Sequence, residues 1–145
     1  AARLTRSKEP VATFDMLLID AFASDAVPVH LLTVEAIRLY LDKLTPTGLL
    51  ALHVSNRHMD IENVAAATSL AVPGTQVALV ESRPTAKSLY DATPSRVVFV
   101  TRSTATMLQV LERPDARVIA QGTVPPWTDD YSDIVTSIWR KMTRR

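Results

Sequence analysis

The chain has 145 residues, 47% hydrophobic and 21% charged, proportions that suit one globular domain with a real core and exclude a disordered segment. Sixteen basic residues against fifteen acidic ones give a net charge of +1, which leaves no electrostatic footprint for nucleic acid or an anionic membrane. With no cysteine there is no disulfide framework, thiol nucleophile or Cys-ligated metal, and no apolar run approaches the roughly 20 residues of a membrane span.

The first ten residues lack the apolar core of a signal peptide, so a cytoplasmic setting is expected. The chain does not begin with Met and its first strand comes early, which suggests numbering from inside a longer protein. Residues 1–13 are polar, contain Pro10 and read as a lead-in. The apolar run Met16 to Ile19, bounded by Asp15 and Asp20, predicts a strand buried on both faces of a parallel sheet.

Pro28 interrupts the loop that follows, and Thr33 offers an N-cap hydroxyl with Glu35 in the first turn. Ile37, Tyr40, Leu41 and Leu44 then recur at helical spacing. Pro46, Thr47 and Gly48 predict a turn, and residues 49–54 a second buried strand. Asp60 is placed to cap a second helix carrying Ile61, Val64, Ala65, Thr68 and Leu70, which stops before Pro73 and Gly74.

Strands are expected over 76–80 and 96–101, separated by a long polar segment containing Tyr90 and Asp91 that could act as a substrate lid. A helix over 104–111, a short strand near 117–120 and a last helix over 131–142, capped by Asp129 or Asp130, complete the reading. This order predicts an α/β fold, half of a doubly wound and mostly parallel sheet whose last two strands form an antiparallel edge pair.

Chemistry concentrates in the stretch from Phe14 to Thr33. Asp20 ends an apolar strand and Asp25 lies in the loop beyond it, so two carboxylates stand at a strand's carboxyl end, where ligands bind in open α/β sheets. Read without a family, Asp20 is a catalytic acid or a loop acid, and Asp25 a substrate contact or a turn residue. Phe22 is loop packing or an aromatic wall, and Pro28 sets loop shape. Trp127, Asp129, Asp130 and Tyr131 form a second cluster, either a capped helix start or a pocket lining.

The histidines, His30, His53 and His58, lack the spacing of a metal pair, so no metal site is expected. Ser55 lacks the Gly-x-Ser-x-Gly elbow of a hydrolase. Only three glycines occur, Gly48, Gly74 and Gly122, and none are clustered, so a phosphate-cradling turn is missing.

The sequence Asp-Ala-Phe-Ala-Ser-Asp-Ala-Val-Pro-Val-His-Leu-Leu-Thr, residues 20–33, resembles the fourth-strand region of spermidine synthase-like proteins, especially the group fused to membrane-spanning segments. Leu-His-Val-Ser-Asn-Arg at 52–57 and Pro-Trp-Thr-Asp-Asp-Tyr-Ser at 126–132 are similar to further segments of that group. The resemblance implies the carboxyl-terminal half of a class I methyltransferase-like Rossmann fold. It assigns Asp20 as the catalytic acid and Asp25 to the substrate; Tyr131 is a further candidate for the substrate, and Ala21, Phe22 and Pro28 are candidates for the cofactor side.

The implied reaction transfers an aminopropyl group from decarboxylated S-adenosylmethionine to an amine. The partners are therefore a small-molecule amine and a sulfonium nucleoside, with a homodimer as the expected assembly and no nucleic acid. If membrane segments stand upstream, the chain is the cytoplasmic domain of a membrane protein. The spacing between Asp20 and Asp25 is longer than in well-characterised spermidine synthases, which leaves the acceptor open. An S-adenosylmethionine-dependent methyltransferase and a non-catalytic binding domain are the alternatives. With the glycine-rich half absent, the fragment itself is expected to be inactive.

Overall fold

The structure, a computed structural model, describes residues 12–21, 28–56, 59–82, 94–133 and 138. Its elements are β1 (Phe14–Ile19), a 3-10 turn (Val29–Leu31), α1 (Val34–Lys43), β2 (Leu44–His53), α2 (Ile61–Leu70), β3 (Gln76–Ser82), β4 (Ser95–Thr101), α3 (Thr104–Leu111) and β5 (Ala116–Ile119). The expected segments 1–11 and 83–93, with Tyr90 and Asp91, lie outside the described residues, as does most of the last helix expected over 131–142.

Strands with apolar residues at successive positions need cover on both faces, and β2, β3 and β4 have it. Leu50, Leu52, Val77, Leu79, Val98 and Val100 point to one face, where α1 and α2 close a large core that also holds Trp127. Ala78 and Val80 point to the other, where Met107 and Val110 of α3 cover them. Helices therefore lie on both sides of one sheet.

The helices form where the periodicity requires. Val34, Ile37, Tyr40 and Leu41 make the buried stripe of α1, and Thr33 Oγ1 accepts the backbone N–H of Ala36 as its N-cap. In α2 the run from Val64 to Ser69 is buried all round, which small side chains at 65–67 permit. Gly122 approaches this helix so closely that a Cβ there would lie 3.0 Å from the Cβ of Ala67. Asp60 precedes α2 but makes no side-chain cap; both its carboxylate oxygens accept from the Asn63 amide at 2.8 Å.

The sheet order is β1-β2-β4-β3-β5, and among the described residues only β1 and β2 pair in parallel. This corrects the expectation of a mostly parallel sheet with an antiparallel edge pair. Strands β3 and β4 are antiparallel as expected, but β4 inserts between β2 and β3. The physical reason lies in its residues: Val98 and Val100 are fully buried, a composition that suits an interior strand better than an edge. Edge duty falls to β5, whose Arg117 and Val118 are exposed.

The other edge is β1, which corrects the expectation of a strand buried on both faces. Leu17 and Ile19 pack partly against the main core, whereas Met16 and Leu18 are 54% and 61% exposed on the opposite face. The predicted turn at Pro46 to Gly48 appears as a bulge within a longer β2, because Phe14 pairs with Leu44 while Met16 pairs with Leu49. A Cβ at Gly48 would lie 2.7 Å from that of Leu44, so the bulge requires glycine there.

Candidate functional site

Strands β1, β2 and β3 run in one direction and β4 and β5 in the other, so the carboxyl ends of the first three share a rim with the start of β4. The parallel register pairs Ile19 with Leu52, which brings the next residues, Asp20 and His53, side by side. His53 Nδ1 lies 2.7 Å from Asp20 Oδ1. The antiparallel register sets His53 opposite Val97, and Ser95, two residues away on the same face, lies with its Oγ 3.3 Å from His53 Nε2.

Acid, imidazole and hydroxyl thus form a continuous chain across three strands. The imidazole is half-buried, while the Asp20 side chain is 58% exposed and open to an incoming ligand. Such an arrangement can fix a carboxylate and accept or deliver a proton at an exposed oxygen.

Beside this chain the rim is held by backbone capture and ion pairs. Ser55 Oγ accepts the backbone N–H of Arg96 at 2.8 Å, so this hydroxyl is engaged in joining β2 to β4. The Arg96 guanidinium reaches Glu62 at 3.3 Å and Glu81 at 3.4 Å, tying the start of α2 and the end of β3 to β4. Asn56 Oδ1 accepts the backbone N–H of Met59 at 2.9 Å and shapes the turn into α2.

The remaining predicted site residues divide sharply. Ala21 packs partly buried against the main core, and Pro28 leads into the 3-10 turn, its carbonyl accepting the N–H of Leu31. Tyr131 is half exposed and its backbone pairs with Thr128. Asp25, Phe22 and His58 lie outside the described residues. His30 is exposed on the 3-10 turn.

Asp129 departs from the expected cap of a last helix. Its carboxylate accepts from the Thr33 hydroxyl at 2.7 Å, its N–H donates to Glu35 at 3.1 Å, and the Trp127 carbonyl accepts the N–H of Val34 at 2.8 Å. Segment 126–132 therefore closes over the start of α1, satisfying the Val34 N–H, which the helix cannot satisfy alone. Two stretches that the sequence reading singled out separately meet in space.

Sequence reasoning missed the role of His53, treating it as a strand residue, and passed over Ser95. The available signal was the alignment of two strand ends, Leu-Leu-Ile-Asp and Leu-Ala-Leu-His, joined by one helix as in a βαβ unit.

Among the described residues no group of three or more His, Cys, Asp or Glu is placed to hold a metal ion, and no helix is long and apolar enough to cross a membrane. An apolar groove lined by Leu41, Leu44, Pro46, Gly48 and Arg102 lies at the opposite end of the strands, away from Asp20. Fold and rim together define an α/β domain with a mixed five-strand sheet and an acid–imidazole–hydroxyl chain at its strand ends. Neither the protein-family models nor the curated proteins contain a match to this chain.

Proposed function

We propose that this chain is the acceptor-side part of a spermidine synthase-like aminopropyltransferase domain, a cytoplasmic unit of the class I methyltransferase-like Rossmann type. Asp20 serves as the base and Asp25 as the acid that binds the substrate amine. The observation that carries the reading is the position of the Asp20 carboxylate: exposed at the carboxyl end of β1 and held there by His53. Ligands of open α/β sheets bind at this end of the strands.

The chemistry requires such a group. An alkylamine, with a pKa of about 10 like that of a Lys side chain, is protonated near neutral pH and is no nucleophile until it loses a proton. Asp20 takes that proton, the amine nitrogen forms a bond to the carbon next to the sulfonium, and the C–S bond breaks with its electron pair passing to sulfur. The products are a secondary ammonium ion, which keeps the positive charge, and a neutral thioether. Alignment of nitrogen, carbon and sulfur supplies much of the remaining rate.

The donor nucleoside would be held by a complementary half of the domain. Among the described residues β1 stands at the edge of the sheet, with Met16 and Leu18 exposed beside it, which supports a seat there for further strands and helices.

The test is turnover by the protein in its natural full-length context. Decarboxylated S-adenosylmethionine is supplied with a panel of diamines, and both the aminopropylated product and methylthioadenosine are measured by mass spectrometry. Product that disappears in Asp20→Asn, with the circular dichroism spectrum unchanged, supports the reading. Undiminished turnover in that variant, or methyl transfer from S-adenosylmethionine with no aminopropyl transfer, refutes it.

A further inference from the structure

The strand-end chain contains one group to which the proposed reaction assigns no task. His53 lies in the middle of it, 2.7 Å from Asp20 through Nδ1 and 3.3 Å from Ser95 through Nε2. A neutral imidazole carries one N–H and one acceptor nitrogen, and its neighbours decide which is which. An ionised carboxylate only accepts, so the nitrogen facing Asp20 must carry the proton. The nitrogen facing Ser95 is then an acceptor, and the Ser95 hydroxyl, free to rotate, donates to it.

We infer that His53 is a positioning residue: its Nδ1–H binds Oδ1 of Asp20 while the Ser95 hydroxyl donates to Nε2, which fixes the imidazole tautomer and leaves Oδ2 of Asp20 as the oxygen that takes the substrate proton. Three features carry this. His53 and Ser95 stand on adjacent strands and Asp20 directly follows Ile19, the last residue of β1, so sheet register sets their separation. The imidazole is half-buried while the acid is open, which places the holder inside and the working group outside. Ser55, another hydroxyl on this rim, accepts the Arg96 backbone N–H instead.

The same three residue types could instead form a nucleophilic triad in which Ser95 attacks an acyl group. The geometry favours the positioning role. Ser95 is the first residue of a strand rather than the apex of a strand-to-helix turn, and its Oγ lies farther from the imidazole than Asp20 does.

The inference rests on the assignment of Asp20 as base, and its test has one arm that does not. In the first arm, nitrogen-15 NMR of the imidazoles is recorded for the full chain and for Asp20→Asn and Ser95→Ala. The Nδ1-protonated tautomer is expected at His53, with Nδ1 moved by the first substitution and Nε2 by the second. An Nε2-protonated tautomer, or shifts that respond to neither change, overturns the inference whatever reaction the protein performs.

The second arm uses aminopropyl transfer and compares three variants. The Asn amide nitrogen can stand near the place of Nδ1, whereas Ala and Gln cannot present a donor there. His53→Ala and His53→Gln are expected to lower kcat about 100-fold with KM little changed, the scale of a misplaced reacting group. His53→Asn is expected to recover most of that loss. If His53→Asn is as impaired as His53→Ala, or if a fluorophosphonate labels Ser95, the imidazole has a direct part in proton or acyl transfer and the positioning role falls. If the wild-type protein shows no aminopropyl transfer, the proposed function fails and the NMR arm alone decides the placement of His53.

Discussion

The Thr33 hydroxyl donates to the Asp129 carboxylate across 2.7 Å, although 96 residues separate the two in sequence. The same oxygen accepts the N–H of Ala36, so one side chain both caps α1 and anchors the segment around Trp127. Thr33→Val keeps the shape and removes both bonds, and it is expected to cost about 1–2 kcal/mol. Thr33→Ser should stay within about 0.5 kcal/mol of wild type. Urea unfolding of the three proteins decides the matter, and equal stability of wild type and Thr33→Val would remove Thr33 as an anchor.

Local patterns in the sequence were enough for this cap and for most elements. The helix over Thr104–Leu111 forms at its expected bounds, and α1 follows Thr33 as its periodicity requires. Such features depend on residues three or four apart. Sheet order depends on which strands meet: the apolar residues of 95–101 suit an interior strand, but nothing local in them names β2 and β3 as the neighbours. The partner of Asp129 was equally hidden, because an acid beside a predicted helix start suits a local cap as well as a remote one. Asp20 was legible as a strand-end acid. Its partner His53 appears only once the parallel register is known.

Tyr40 provides a pH-dependent probe of the core. Its ring is buried in the main cluster, its hydroxyl donates to the Leu31 carbonyl at 3.2 Å, and burial pushes its pKa up from 10.0 to about 12. A buried phenol resists ionisation, so between pH 10 and 12 the unfolded chain releases a proton that the folded chain retains. The stability contribution is complete below pH 10 and is lost as pH rises toward 12, by about 2 kcal/mol in all. Tyr40→Phe should be about 1 kcal/mol less stable near neutrality and lack this part of the alkaline decline. Denaturant midpoints taken from pH 8 to 12 compare the two, and parallel curves would contradict the assignment.

The exposed face of β1 predicts association. Among the described residues β1 pairs with β2 alone, an edge position that favours pairing with another chain, and its Met16 and Leu18 are 54% and 61% exposed. The 145-residue chain is therefore expected to self-associate with rising concentration. Met16→Lys together with Leu18→Lys should shift it toward monomer while changing its unfolding free energy by no more than about 0.5 kcal/mol per site. Sedimentation velocity over a concentration series reports the shift. Identical association of the double variant would mean that another surface is responsible.

Asp20→Asn separates catalysis from folding. The acid is more than half exposed, and an exposed carboxylate paired with a histidine contributes about 0–1 kcal/mol to stability. Asparagine occupies the same volume and still offers an oxygen to the His53 N–H. The fold should therefore survive, with the unfolding midpoint close to wild type. Turnover has no such substitute, because an amide cannot accept a proton from an ammonium group at neutral pH. A loss of about 10²–10⁴-fold in kcat is expected for removal of a general base. The two measurements belong together: a variant that loses both stability and turnover would indicate that Asp20 holds the rim together, whereas loss of turnover alone indicates that the protein holds Asp20 in place for chemistry.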